Sequence, residues 1–73
     1  MGSKNEPGKF DCYSHAEPDE PMFILLARDK HAPRLVREWA RLRDVAGENP
    51  EKVREAFDCA DAMEVWHMKH RGK

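Results

Sequence analysis

Between residues 30 and 46, apolar side chains recur at alternating steps of three and four. Ala32, Leu35, Trp39, Leu42 and Ala46 fall on one face of a helix, with Val36 at its edge. The spacing predicts an amphipathic helix over about 30–46, with Asp29 as N-cap, Pro33 in the first turn and Gly47 as the stop. Asn49-Pro50-Glu51 repeats the grammar: a capping side chain, a proline at the first helical position and an acid in the first turn. A second long helix is therefore expected over about 50–70, with Val53, Ala56, Phe57, Ala60, Met63 and His67 as its inward stripe. The link Gly47-Glu48-Asn49 is short, so the two helices should form an antiparallel hairpin. Trp39, Phe57 and Ala60 are the expected core.

The first thirty residues follow no such rule. Residues 1–9 are rich in Gly, Pro, Lys and Asn and read as a disordered tail ahead of one small helical domain, 10–73. Asp19-Glu20-Pro21 suits a helix start, since acids complement the N-terminal dipole and proline fits the first turn. A short helix over about 21–28 is the expectation. The apolar run Phe23-Ile24-Leu25-Leu26 also fits a strand, but no second strand is available to pair with it. The predicted fold class is all-α: an antiparallel helical hairpin with a short N-terminal helix and an extended N-terminal arm.

The last helix carries more apolar surface than one neighbour can cover. Val53, Ala56, Phe57, Cys59, Ala60, Met63, Trp66 and Met68 span about 200° of the wheel, whereas packing on one helix needs little more than about 100°. The excess, Cys59, Met63 and Trp66, needs a cover. Phe10 and Tyr13 of the arm, or Phe23 and Leu26 of the short helix, are intramolecular choices. A second protein is the other, because Trp and Met are enriched at interface cores.

Composition narrows the classes. With 73 residues the chain is one small domain, too short for a doubly wound nucleotide fold or a barrel. Thirteen basic against 14 acidic residues leave a net charge of −1, unlike the strongly basic footprint of binding nucleic acid through bulk charge. The longest apolar run, Met22 to Ala27, is far short of the ~20 residues that cross a bilayer. No signal-peptide pattern is visible, and two cysteines are too few for a disulfide framework, so a cytosolic setting with reduced thiols is expected.

One segment resembles a known group. Asp19-Glu20-Pro21, the aliphatic-aromatic run, Asp29, Ala32-Pro33 and Trp39, with the later Ala62-Met63-Glu64 and Trp66, resemble small proteins of bacteriophages and prophages over roughly residues 12–66. The resemblance implies a phage or prophage product acting in the bacterial host cytoplasm. It transfers no catalytic or binding residue.

Candidate chemistry is sparse. Cys12-x-x-His15 has ligand-like spacing, and Cys59, His67 and His70 are further donors, but the paired spacing of structural zinc sites is missing. No cofactor and no metal are expected. There is no HExxH, no Gly-rich phosphate loop and no serine elbow, and Ser3 and Ser14 lie outside the long helices, so no enzyme and no small-molecule substrate are expected. Arg34, Arg37 and Arg41 cluster within about 60° on one helix, facing nucleic acid, an acidic partner or simply solvent, with Glu38 and Asp44 near enough to pair with them. The leading expectation is a non-enzymatic interaction module. It would dock on a host protein, as an inhibitor of host machinery or defence, or on its own copy, through Cys59, Met63 and Trp66. The alternative is a nucleic-acid-associated regulator using Arg34, Arg37 and Arg41.

Overall fold

A computed structural model describes residues 1–70. It contains three helices, α1 (Cys12–His15), α2 (Ala32–Val45) and α3 (Pro50–Lys69), with no strand among the described residues. Cross-helix contacts run in opposite directions along the chain: Arg43 pairs with Glu48 at the loop, and Arg37 reaches Asp61 and Glu64 further along α3. The fold is the expected all-α antiparallel hairpin.

The helix ends follow local chemistry. Asn49 caps α3, its side chain accepting the Lys52 amide at 3.3 Å, and Pro50 and Glu51 follow in the first turn. At the other side of the loop, Gly47 adopts φ +73°, and the Glu48 and Gly47 amides donate back to Arg43 O and Asp44 O, each at 3.0 Å. That bond pair is a Schellman motif. The start of α2 corrects the expected cap. Asp29 accepts the His31 amide at 2.9 Å through its side chain and the Ala32 amide at 3.0 Å through its carbonyl, which closes a turn before the helix and leaves His31 at the cap position.

The core is a seam of small side chains. Ala32, Ala40, Ala56 and Ala60 are fully shielded and Val53 is nearly so, while no large side chain among the described residues is fully buried. The α3 stripe lies where expected, but α2 is turned by about one residue step, some 100° on a 3.6-residue wheel. Ala32, Pro33 and Ala40 point into the seam, with Val36 and Arg43 half-buried beside them, whereas Leu35, Trp39 and Leu42 are exposed. Trp39 is thus not core, and Phe57 is only half-buried. The turned face brings Arg37 to Asp61 and Glu64, at 2.8 and 2.5 Å, and lets Ala40 meet the α3 alanines.

The predicted helix at 21–28 is absent. The short N-terminal helix is the single turn α1, held by Ser14 Oγ donating to Asp11 O at 3.0 Å. Residues 21–26 form no regular element, and Leu25 and Ala27 are half-buried between exposed neighbours. A contiguous apolar run surrounds a helix instead of striping it, and an isolated helix of two turns is marginal without a packing face. Phe23, 84% exposed, finds no such face.

Residues 1–10, set apart in the sequence as a disordered tail and the start of the arm, lie along α3. Glu55 accepts the Lys9 and Phe10 amides at 2.7 and 2.9 Å, and its carboxylate lies 3.4 Å from the Met1 ammonium. Lys9 Nζ pairs with Glu51 at 2.5 Å. Even so, the chain remains open. Its accessible surface is 6269 Å², against about 4,700 Å² for a compact monomer of 8.5 kDa, roughly a third more. The radius of gyration, 12.7 Å, likewise exceeds the ~11 Å of a compact chain this long. Among the described residues no helix is long and apolar enough to cross a membrane.

Candidate functional site

The face that α2 turns away from α3 carries large exposed apolar side chains on a long helix. Leu35, Trp39, Leu42 and Ala46 keep the three-four alternation of a coiled-coil seam, and beside it Ala32, Val36, Ala40 and Arg43 are shielded or half-buried. Leu35 is 49% exposed and Leu42 65%. Trp39 stands between two cations, Arg43 at 5.0 Å and Lys52 at 5.9 Å from its ring centroid. Those contacts hold the indole upright at the boundary between the hairpin seam and the exposed face. A rigid helix carrying three large apolar groups in a row needs no chemistry of its own to bind a matching surface.

The sequence-predicted residues on α3 divide. Cys59 is half-buried beneath the N-terminal arm. Burial pushes its thiol above the usual range, against the Met1 ammonium and the Gly2 amide, which lower it. Met63 is half-buried within the hairpin stripe. Trp66 is 41% exposed and stacks on His70 at 3.9 Å. The three do not form a single exposed patch, because the arm and α2 each shield one of them.

The arginines are engaged. Arg37 bridges Asp61 and Glu64, and its guanidinium pKa is raised by hydrogen bonds to Glu64 first and Asp61 second. Glu64 is lowered correspondingly by Arg37. Arg41 donates to both carboxylate oxygens of Glu38, each at 2.8 Å. Of the cluster, Arg34 alone has no ion pair among the described residues. Two of the three arginines in the cluster are thus paired with carboxylates of their own molecule.

The thiol and imidazole groups do not converge. Cys12 and His15 share α1, Cys59 sits under the arm, and His67 and His70 lie at the far end of α3. Among the described residues no three His, Cys, Asp or Glu side chains gather as a metal-ligand group. His15 Nδ1 and His70 Nδ1 are each 2.8 Å from a backbone carbonyl, of Asp11 and Trp66. A groove of about 220 Å³ between the start of α2 and the end of α3 is lined by Lys30, Pro33, Arg34, Arg37, Glu64 and His67, with Arg37 already taken by Glu64.

Comparison of the chain with protein-family models, with curated proteins and with solved structures gives no match. The docking surface is therefore read from the geometry. The sequence spacing singles out Leu35 and Leu42 but assigns them to the core. The signal that marks them as surface is the second small-residue pattern on the same helix, Ala32, Val36 and Ala40, which packs closer.

Proposed function

We propose that the chain is a non-enzymatic docking module that binds another protein through the Leu35–Trp39–Leu42 face of α2. One observation carries this reading: a helix fixed in a hairpin holds out a continuous apolar seam while the core beneath contains no fully buried large side chain. Exposed apolar patches of that kind, rimmed by charge, mark association surfaces. Arg34, Glu38 and Arg41 supply the rim. The resemblance to phage and prophage proteins sets the docking in a bacterial host cytoplasm, on a host protein or on a second copy. Cys59 and Met63 belong to the shielded side of α3, and Trp66 is a secondary contact near the rim.

Capture from a nuclease-treated bacterial lysate tests this reading against the nucleic-acid alternative. The tagged wild type should retain protein, whether its own untagged copy or another chain, and Leu42→Glu should lose it. Capture that disappears with nuclease, weakens linearly in log salt and survives in Leu42→Glu would overturn the proposal in favour of phosphate contacts.

A further inference from the structure

We infer that the groove between the start of α2 and the end of α3 binds a phosphate monoester through Lys30, Arg34 and His67. The inference stands apart from the docking reading, since none of Leu35, Trp39 and Leu42 lines the groove.

The hairpin assembles this groove from its two open ends. Antiparallel packing sets the first turn of α2 beside the last turns of α3, which brings Lys30 and Arg34 to one cavity with His67. The cavity holds about 220 Å³, with Pro33 and Met68 as the apolar part of its wall. That falls below the ~300 Å³ at which pockets for drug-sized ligands begin, and suits a single head group.

Charge decides the sign of the ligand. Glu64 is the one carboxylate in the lining, and Arg37 holds it at 2.5 Å. Arg37 also holds Asp61 at 2.8 Å, so its own charge is matched on α3. The other acids nearby are turned elsewhere: the Asp29 carboxylate accepts the His31 amide at 2.9 Å, and Glu38, one turn beyond Arg34, pairs with Arg41. Lys30 and Arg34 have no ion pair among the described residues. Three cations against two carboxylates leave the groove positive, and Lys69 in the last turn of α3 has the same sign. The helix dipoles, positive at the start of α2 and negative at the end of α3, oppose one another there and leave the side chains to decide.

The donors match a phosphate group. A phosphate monoester is close to a dianion at neutral pH and offers three strong acceptor oxygens. Arg34 supplies a planar fork, Lys30 a point charge and His67 a ring N–H. A carboxylate, with two oxygens and one charge, leaves part of that set unused.

Titration of the isotope-labelled full chain with inorganic phosphate and with phosphoserine, read from amide shifts at constant ionic strength, is the test. Both probes should shift amides within 30–37 and 64–68 and saturate in the millimolar range of screened contacts on an open groove. Arg34→Ala should weaken binding by about tenfold with helicity unchanged by circular dichroism. Arg54→Ala, at an exposed arginine that lines no part of the groove, should leave binding as it is. In case Arg34→Ala unfolds, Lys30→Ala, which precedes the helix, reads the same contact. Shifts scattered over the surface, no saturation in that range, or equal losses from Arg34→Ala and Arg54→Ala would overturn the inference. So would acetate binding as tightly as phosphate. Each of these outcomes leaves the docking reading standing.

Discussion

Individual residues in the seam differ sharply in what they can tolerate. Ala60 is fully shielded in the seam, so Ala60→Leu should overpack it and cost about 1–3 kcal/mol. Arg37→Ala removes two ion pairs, but their carboxylates are solvent-exposed, and water screens such pairs until they contribute little. Thermal unfolding of both variants should therefore show Ala60→Leu as the more damaging. Equal losses would mean that charge, not close packing, joins the hairpin. Gly47→Ala adds a third check. The residue sits at φ +73° with open space where a methyl group would project, so its cost of about 1 kcal/mol should come from backbone strain alone.

At the scale of elements, the arm hangs on one carboxylate. Burial raises the Glu55 pKa, but the Lys9 and Phe10 amides and the Met1 ammonium outweigh it and hold the group below its ordinary value of 4.5. A group depressed in the folded state stabilises above its unfolded pKa and loses that contribution as pH falls through the folded one. Protection of the Lys9 and Phe10 amides against hydrogen exchange, relative to the intrinsic rate at each pH, should accordingly fall only below about pH 4.5, and Glu55→Ala should release both amides at neutral pH while α3 stays protected. Cys59, shielded on that side, should then react faster with a thiol reagent than in wild type, and Cys12, already exposed, should not change. Unchanged Cys59 reactivity would separate the arm from its shielding. The sequence showed both long helices because caps, prolines and the Gly47 stop are local signals. It did not show the arm on α3, since one glutamate 45 residues away from Phe10 leaves no periodic trace. The run Phe23–Leu26 failed as a helix for a related reason: composition favoured burial, but no element offered it a face.

For the whole molecule, the rotation of α2 decides which of its apolar faces is left exposed. Two apolar patterns overlap on that helix. Hydrophobicity favours the larger residues for the core, whereas packing takes Ala32, Val36 and Ala40, whose size admits α3, and leaves Leu35, Trp39 and Leu42 outside. The helix itself is plain in the sequence, but the ranking of its two faces depends on how close α3 comes. With that face outside, association through it is the expectation. Anything that binds only the folded chain raises its unfolding midpoint in proportion to the logarithm of concentration. The most direct measurement is thus the thermal midpoint of the purified chain across a hundredfold dilution series, alongside Leu42→Glu. The midpoint should climb with concentration for wild type and stay flat for Leu42→Glu. A wild-type midpoint independent of concentration would contradict self-association through this face.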